Sequence, residues 1–338
     1  MNYKLKKWQL PFLAFLIIGT ILIIRQQNTM HYHHNSGFVF GTVYNITYQN
    51  ATDLNDSIKA ELARIDNSLS PFNEHSVISA VNRGEDITVD AMFAEVFNKA
   101  AEVSRETDGA FDITVAPLVN LWGFGFKSGV QPTAHAIDSL RRLTGFSKVS
   151  LDNGHVKKAD GRIMLDCGAI AKGYGSDVVA RMMRRMGVKN FMIEIGGEIV
   201  TSGVSEKRVP WRIGVTKPTD DSLSTSNELQ TVLNVTDKAM ATSGNYRNFY
   251  YKDGKKYAHT IDPKTGFPVQ HNILSSTVLA DDCATADAYA TAFMVMGLEK
   301  AKKVLERHPE LMAYFICDDE HGGNSVWFSP TLRDKIQK

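Results

Sequence analysis

Segments with a strand-like pattern alternate with segments of helical spacing along this 338-residue chain, without a regular repeat. From Phe38 to Tyr48, aromatic and β-branched residues fill alternate positions, which predicts the first strand. Apolar residues spaced three and four apart predict amphipathic helices over 54–69, 93–103, 137–143, 170–186 and 284–296. Further strands are predicted at 190–195, 198–203, 211–215, 229–235 and 273–280. Because strands and helices interleave without a βαβ period, we expect an α+β fold with mixed or antiparallel sheets and flanking helices.

Dipeptides that end in glycine predict three hairpin turns. Asn153-Gly154 and Asp160-Gly161 divide 146–166 into three short β segments, the last of which, RIMLD, ends at Asp166. Such dipeptides accept the positive φ angles of tight turns. A third hairpin is predicted across 252–254, where Asp253 precedes Gly254.

The charge distribution excludes one large class of function. The chain has 38 basic and 37 acidic residues, and its first 25 positions hold Lys4, Lys6, Lys7 and Arg25 but no acid. The remainder is therefore slightly acidic, whereas nucleic-acid binding needs clustered cationic charge. We expect no nucleic-acid partner. The three cysteines are too scattered for a disulfide framework or a Cys-x-x-Cys metal site.

An apolar run near the N-terminus predicts a membrane anchor. Between Trp8 and Ile24, Gln9 is the only strongly polar residue. At about 1.5 Å per residue a helix of this length extends roughly 25 Å, near the lower limit for crossing a bilayer. The preceding lysines favour a cytoplasmic N-terminus, so we predict an uncleaved anchor at 1–25 and a body outside the cytoplasm. A cleaved signal peptide is the alternative, although no small-x-small cleavage site follows.

Residues 26–37 are predicted to form a polar linker, and 38–338 to form the folded domain. The linker holds His31, His33 and His34. A solvated tether is preferred there over a metal site, because nothing nearby would fix a coordination geometry.

The segment 166–177 predicts a site for an anion. Asp166 would lie at a strand end, followed by a glycine at the turn and Lys172 in the first turn of the next helix. A helix N-terminus offers free N–H groups and a positive dipole end, and a lysine adds a point charge for phosphate. The segment contains neither a Walker loop nor a GxGxxG fingerprint. The alternative is a tight turn whose glycines only allow close packing, beside a solvated lysine.

Asp287, Thr291 and His259 are candidates for chemistry. Asp287 and Thr291 lie four apart on a predicted helix, so their oxygens share one face, and Mg²⁺ combines one or two carboxylates with phosphate oxygens and water. The alternative is a threonine that bonds back to its own helix and an aspartate that caps a neighbouring group. His259 precedes a turn at 262–266 and is a candidate general base, since imidazole titrates near neutrality. A structural, hydrogen-bonded histidine is the alternative.

Seven motifs carry a resemblance to a known family. In chain order they are FGTVYNITY (40–48), SPFNEHSVISAVNRG (70–84), DGAFDITVAPLVNLWGFG (108–125), LDCGAIAKGYGSD (165–177), IEIGGEI (193–199), ATSGNYRNFYYKDGKKYAHTIDPKTGFPV (241–269) and CATADAYATAFMVMG (283–297). Together they resemble the ApbE family, the FAD:protein FMN transferases, over nearly all of 38–335. The resemblance implies an ApbE-like α+β fold related to the T-fold.

The resemblance also implies an activity. Enzymes of this kind bind FAD and Mg²⁺, cleave the diphosphate of FAD, transfer FMN to a threonine hydroxyl of a partner protein as a phosphoester, and release AMP. Asp287 and Thr291 match the family's metal ligands, together with the main-chain oxygen of Ala169. His259 matches the base that activates the acceptor hydroxyl. Positions that match contacts to the flavin nucleotide are Phe40, Phe72, Ala110, Phe111, Asp112, Asp166, Lys172, Thr260 and Ile261.

Partners and location follow from the same resemblance. The implied acceptors are flavin-bearing subunits of sodium-pumping NADH:quinone reductases and of Rnf-type complexes. A domain anchored in the bacterial inner membrane and facing the periplasm would reach their exported segments. Two rival functions use the same residues: a Mg²⁺-dependent FAD pyrophosphatase that attacks with water, and a non-catalytic FAD-binding protein.

Two positions depart from the family pattern. The opening motif usually begins with Met and here has Phe40. The turn after Asp166 often has two glycines and here reads Cys167-Gly168-Ala169. An alanine still offers its carbonyl to a metal, so the second departure keeps the implied ligand.

Overall fold

The computed structural model of the chain describes residues 8–29, 31–125, 132–218, 228–245, 249–252, 255–270, 272–319 and 323–337. In these ranges the helices are α1 (Gln9–Thr29), α2 (Asn55–Leu69), α3 (Val77–Arg83), α4 (Ala91–Glu106), α5 (Ala116–Leu121), α6 (Ala134–Arg141), α7 (Ala171–Arg185), α8 (Cys283–Met296) and α9 (Leu298–Arg307). The strands are β1 (His31–Val39), β2 (Thr42–Asn50), β3 (Val149–Asp152), β4 (His155–Lys158), β5 (Phe191–Ile195), β6 (Glu198–Ser202), β7 (Trp211–Thr216), β8 (Leu229–Val235), β9 (Ala239–Gly244), β10 (Phe249–Lys252), β11 (Lys255–Ala258), β12 (Ile273–Ala280), β13 (Met312–Asp318) and β14 (Asn324–Phe328).

One large sheet organises the fold. Its eight strands are arranged in the order β1-β2-β5-β6-β9-β12-β13-β14, and every neighbouring pair is antiparallel. The remaining described strands pair as three separate antiparallel hairpins, β3–β4, β7–β8 and β10–β11. The α+β prediction is therefore confirmed, with antiparallel sheets.

Helices cover one face of the sheet and a hairpin covers the other. α8 packs on β9 and β12, α7 packs on β5 and β6, and the two helices pack against each other. On β9, the alternation of a strand directs Ala239 and Ala241 into the helical core and Met240 into the core under β7–β8. Adjacent residues of one strand thus serve two hydrophobic cores, and the sheet is the middle of three layers.

The predicted helices are confirmed, because their apolar stripes face this core. α2, α4, α6, α7 and α8 correspond to the five predicted helices, and the buried residues of α2 include Ile58, Leu62 and Ile65. The strands predicted between 190 and 280 are present as β5 to β8 and β12, with bounds that differ by at most one residue. Residues 253 and 254 of the third predicted hairpin lie outside the described residues, although β10 and β11 pair on either side of them.

Two predicted strands differ from the structure. The single strand predicted over 38–48 is a hairpin, since Phe40 and Gly41 both have positive φ, 52° and 74°, and form the turn between β1 and β2. The segment 162–166 is not a strand. The side chain of Asn82 accepts a hydrogen bond from Leu165 N at 2.8 Å and donates to Leu165 O at 2.9 Å, which takes the place of a neighbouring strand.

The N-terminal segment also differs from its prediction. The predicted polar tether contains most of β1, which pairs with β2 along its full length. Its histidines contribute contacts that a tether would lack: the His33 ring stacks on the buried Tyr48 ring with centroids 5.4 Å apart. Among the described residues, no helix is both long enough and apolar enough to cross a membrane.

Candidate active site

Three charged side chains meet where α7 begins. Lys172 is the second residue of α7, and its Nζ lies 3.1 Å from Glu198 Oε1 on β6 and 3.9 Å from Asp287 Oδ2 on α8. The side chains of Glu198 and Asp287 are only 4 % and 3 % exposed. The cluster therefore holds two carboxylates and one ammonium in a largely dry setting at a helix N-terminus.

Close contact between α7 and α8 fixes this cluster. A Cβ at Gly173 would lie 2.3 Å from the carbonyl oxygen of Cys283 and 2.9 Å from Asp287 Cβ, so only glycine fits there. Gly173 N donates to Asp287 Oδ2 at 3.1 Å. Asp177 of α7 accepts hydrogen bonds from the N–H groups of Cys283 and Ala284 at 2.8 and 2.9 Å, which caps α8 from the neighbouring helix.

The observed arrangement contains the capping contact that was the alternative to a metal-binding role for Asp287. Asp287 does cap a neighbouring group, because it accepts from the first turn of α7, whose own N-cap residue Ile170 contributes no side-chain hydrogen bond. Lys172 is not the solvated lysine of the tight-turn alternative, since it is ion-paired with Glu198.

Thr291 lies one turn beyond Asp287 and faces β9. Its Oγ1 is 3.0 Å from Ser243 Oγ, so its observed partner is a strand side chain. Ala169 lies in the turn before α7, where the N–H groups of Ile170 and Ala171 both donate to Cys167 O. Ala169 thus lies two residues before the first residue of α7.

The charges of the cluster influence one another. Burial alone would lower the pKa of the Lys172 ammonium, but the carboxylates of Asp287 and Glu198 outweigh it and hold that pKa above its ordinary value. Burial raises the pKa of both carboxyl groups, against the opposing effect of Lys172. Burial also raises the pKa of Asp166. An additional positive charge would stabilise the ionised carboxylates.

A second group of predicted residues lies beyond the end of β9. Asn245 Oδ1 accepts a hydrogen bond from Thr260 Oγ1 at 2.8 Å, and both residues are buried. His259 is half-buried, with its ring edge-on to Phe124 at a centroid distance of 6.4 Å. Ile261 is buried in a small apolar cluster beneath α5 and α6. Since Ser243 contacts Thr291 and Asn245 contacts Thr260, the end of β9 joins the two groups.

Asp112 and Asp166 lie on adjoining segments. Asp166 N donates to Ile113 O at 2.7 Å, which ties the turn before α7 to the 110–113 segment. Asp112 is buried and its Oδ1 accepts from the N–H and hydroxyl of Thr114 at 2.8 and 2.7 Å. Asp166 Oδ1 accepts from Gly168 N at 2.7 Å. Both carboxylates thus order the loops that carry them.

The aromatic and alanine side chains that are predicted to contact the flavin nucleotide differ in their exposure to solvent. Ala110 and Phe111 are buried, and Phe111 belongs to the main core. Phe40 packs near α7, where a Cβ at Gly175 would lie 3.1 Å from its ring. Phe72 is 77 % exposed, on the turn between α2 and α3. Phe72 and Phe40 therefore offer surface to a ligand, whereas Phe111 acts mainly through packing.

The donor set at Asp287 suits a hard cation. In the described part of the chain no group of three or more His, Cys, Asp or Glu residues has a metal-binding arrangement. The implied set is of a different kind, with one carboxylate, one hydroxyl and one main-chain carbonyl, all oxygen donors of the type that Mg²⁺ prefers. Glu198 Oε2 is buried and lacks a hydrogen-bond partner in the described structure, so negative charge in this cluster is incompletely balanced. The residues fit a divalent cation.

Three residues of this site were not predicted from the sequence: Glu198, Ser243 and Asn245. Each lies within a motif noted for its polar residues, IEIGGEI or ATSGN. The available signal was a polar side chain within these motifs. The partner of each residue is distant in sequence, so spacing could not identify it.

Comparison with known proteins decides the family. The family model described as "ApbE family" matches residues 40–315, which is most of the chain and includes Asp166, Lys172, His259, Asp287 and Thr291. The chain belongs to the ApbE family. The resemblance identified from the motifs is thereby confirmed.

Relatives and solved structures within the ApbE family support the assignment. A protein named FAD:protein FMN transferase from Vibrio cholerae is 38% identical over 312 residues, covering 88% of this chain and 92% of the relative. A protein of the same name from Escherichia coli K12 is 34% identical over 297 residues, covering 85% and 83%.

The described fold agrees with that of solved family members. The flavin transferase ApbE from Vibrio cholerae superposes with a TM-score of 0.82 at 34% sequence identity, covering 90% of this chain and 99% of that structure. The flavinyl transferase ApbE from Pseudomonas stutzeri, in its apo form, gives 0.81 at 30% identity, covering 91% and 97%. The expected ApbE-like fold is confirmed.

Proposed function

We propose that this chain transfers FMN from FAD to a threonine hydroxyl of a partner protein, with Mg²⁺ as cofactor and AMP as the second product. The observation that carries the proposal is the group of Lys172, Glu198 and Asp287 at the N-terminus of α7, in which both carboxylates are buried. It lies in a chain of the ApbE family whose relatives are named FAD:protein FMN transferases.

The metal would be held by Asp287, Thr291 and the main-chain oxygen of Ala169. Asp287 supplies the negative charge, and its position is fixed by the hydrogen bond from Gly173 N. Thr291 is oriented by Ser243 on β9. A Mg²⁺ ion bound at this position would neutralise negative charge on the diphosphate oxygens, which otherwise repel a nucleophile.

Lys172 and the first turn of α7 would bind the diphosphate of FAD. An ammonium at a helix N-terminus combines a point charge with free N–H groups and the positive dipole end. These groups stabilise the negative charge that moves onto the departing AMP phosphate. Phe40, Phe72, Ala110 to Asp112, Asp166, Thr260 and Ile261 would orient the two halves of FAD around that point.

His259 would accept the proton of the threonine hydroxyl. The hydroxyl oxygen forms a bond to the FMN phosphorus as the bond from that phosphorus to the bridging oxygen breaks. A phosphoanhydride is thereby replaced by a phosphodiester, and AMP leaves with the bridging oxygen. A base within hydrogen-bond reach is needed because an alcohol is a weak acid, and such a base contributes about 10²- to 10⁴-fold in rate. The contact between Thr260 and Asn245 keeps the His259 segment close to the end of β9.

The acceptor and the location complete the proposal. We propose flavin-bearing subunits of sodium-pumping NADH:quinone reductases or Rnf-type complexes as acceptors. Transfer would take place on the periplasmic side of the bacterial inner membrane, where these subunits have exported segments.

Incubation of the purified chain with FAD, Mg²⁺ and such a subunit tests the proposal. We expect the acceptor to gain the mass of one FMN less one water, with the addition mapped to a threonine by tandem mass spectrometry, and one AMP to appear for each FMN transferred. Free FMN and AMP with an unmodified acceptor would instead assign the site to a pyrophosphatase. Intact FAD in the presence of Mg²⁺ would assign it to a flavin-binding protein.

A further inference from the structure

Glu198 is the one member of the buried charge cluster that the proposed reaction leaves without a role. It is the first residue of β6, directly after the tight turn at Gly196 and Gly197, whose φ angles are 65° and 103°. Its main-chain oxygen accepts a hydrogen bond from Ser176 Oγ of α7 at 2.9 Å. The strand and the helix therefore hold the Glu198 backbone from two sides.

The Lys172 ammonium lies closer to one of its two carboxylate partners than to the other. Its Nζ is 3.1 Å from Glu198 Oε1, which is a hydrogen bond, but 3.9 Å from Asp287 Oδ2, which is beyond hydrogen-bond length. Glu198 therefore holds the ammonium, and Asp287 uses Oδ2 to accept from Gly173 N instead.

We propose that Glu198 is a positioning residue that keeps the Lys172 ammonium off Asp287, so that the Asp287 carboxylate stays available to a divalent cation. The inference rests on the metal site of the proposed function and adds a residue that acts on that site through Lys172.

The physical reason is competition between an internal and an external cation. The Lys172 side chain is only 29 % exposed, so its ammonium is largely removed from water. A charge in that setting needs a carboxylate partner, because leaving it uncompensated is unfavourable. Without Glu198, Asp287 is the remaining carboxylate within 4 Å of Lys172 Nζ in the described structure. Lys172 would then close onto Asp287, and a divalent cation would have to displace it.

Binding of Mn²⁺ to the FAD-free protein, followed by electron paramagnetic resonance, measures this effect without any turnover. Four proteins form a double-mutant cycle: the native chain, Glu198→Gln, Lys172→Met, and the double variant. We expect Glu198→Gln to weaken Mn²⁺ binding by about tenfold or more, within the range caused by loss of groups that orient metal ligands. In the Lys172→Met background the same change should have little effect, because the competing ammonium is gone.

The cycle separates positioning from direct action. If Glu198 bound the cation itself, or acted only through its charge, Glu198→Gln would weaken binding equally in both backgrounds, and the inference would be overturned. Unchanged Mn²⁺ binding in Glu198→Gln would also overturn the inference. It would not bear on FMN transfer by the native chain, which the acceptor assay tests separately. If the native chain bound no Mn²⁺, both the inference and the proposed metal dependence would be wrong.

Two further variants serve as controls. Glu198→Asp keeps the charge but shortens the reach to Lys172, so Mn²⁺ binding should again weaken in the native background and not in Lys172→Met. Glu194→Gln makes the same chemical change on the adjacent strand β5, where the carboxylate accepts from Asn45 Nδ2 at 3.3 Å, and should leave Mn²⁺ binding unchanged. Circular dichroism spectra of all variants should overlay, and any Glu198 variant that unfolds is replaced in the cycle by Glu198→Asp.

Discussion

Asp287 joins two tasks in one side chain, since it caps α7 through Gly173 and supplies the only carboxylate of the implied metal set. We expect Asp287→Asn to raise the Mg²⁺ concentration needed for half-maximal transfer by at least about tenfold, because even loss of an outer partner of a metal ligand has that effect. The asparagine keeps an oxygen for the hydrogen bond from Gly173, so folding should persist. The measurement is the initial rate of FMN transfer against Mg²⁺ concentration.

Asp281→Asn is the matched control for that prediction. Asp281 precedes the same helix, is 76% exposed, and pairs with Lys238. Its substitution should leave the Mg²⁺ dependence unchanged. An Asp287→Asn enzyme with the native Mg²⁺ dependence would contradict the assignment of Asp287 as a ligand.

His259→Ala should slow transfer more than it weakens FAD binding. The expected loss is about 10²- to 10⁴-fold in the transfer rate, as for removal of a general base, with FAD affinity measured separately by flavin fluorescence. His155→Ala is the control. His155 lies on the β3–β4 hairpin and pairs with Asp86. Equal losses of binding and transfer in His259→Ala would reassign it to a structural or binding role.

Individual site residues could be predicted from sequence only where chemistry and local spacing coincide. The four-residue spacing of Asp287 and Thr291 places both on one face of α8, as the helix period requires. Their partners Lys172, Gly173 and Ser243 come from other elements. Such contacts depend on how elements pack, which a pattern within one segment does not encode.

At the scale of elements, the close approach of α7 and α8 depends on Gly173. We expect Gly173→Ala to lower the free energy of unfolding by about 1–3 kcal/mol, as overpacking does, and to weaken cation binding because the helices must separate. Chemical denaturation measures the first effect and Mn²⁺ binding the second. Gly161→Ala, where no atom lies within 4 Å of the new Cβ, should change neither, and native stability in Gly173→Ala would refute the close-contact argument.

The cap that α7 provides to α8 predicts a pH dependence of stability. Burial raises the pKa of Asp177 to about 7, from an ordinary value of 3.8. Between these values the folded state binds more protons than the unfolded state, so the free energy of unfolding should fall as pH rises from about 4 to about 7. This group contributes at most about 1.4 kcal/mol per pH unit.

Chemical denaturation at a series of pH values tests this contribution. In Asp177→Asn the fall in stability between pH 4 and 7 should be smaller, because the titrating group is gone. The same slope in both proteins would show that Asp177 does not titrate in this range.

Helices and strands could be predicted where an apolar stripe faces the core. They could not be predicted where backbone hydrogen bonds determine the local structure. α2 and α8 follow from their apolar residues. The turn at Phe40 and Gly41 was hidden because alternation continues across a two-residue hairpin turn, and both residues have positive φ. Strand β9 was missed because its motif, AMATSG, is small and polar, although its neighbours β6 and β12 bury it in the sheet.

At the scale of the whole molecule, β1 belongs to the folded domain. A chain shortened to 38–338 removes most of β1, including the stacking of His33 on Tyr48 and the hydrogen bond from Tyr48 to Asn35. Compared with a chain that begins at His31, we expect the free energy of unfolding to fall by about 2 kcal/mol or more, from one aromatic pair and several hydrogen bonds. Denaturant titration of the two chains measures this, and equal midpoints and slopes would restore the predicted boundary at residue 38.

The strand order of the sheet lay beyond sequence reasoning. Interleaved strands and helices predicted the α+β class, but β6 pairs with β9 and β2 pairs with β5, which no turn between neighbouring segments dictates. Pairing of distant strands depends on which faces bury together over the whole chain. The motifs nevertheless predicted the family, because their order along the chain is itself specific.

In the proposed reaction, the end of β9 would support both the metal site and the proton acceptor. Ser243 touches the side where a metal would bind and Asn245 touches the side where a proton would be accepted, with a single glycine between them. A small displacement of this strand would therefore misalign both sides together. Tuning one half of the reaction through β9 without disturbing the other would be difficult, so adaptation to new acceptor proteins is expected in the exposed loops around it.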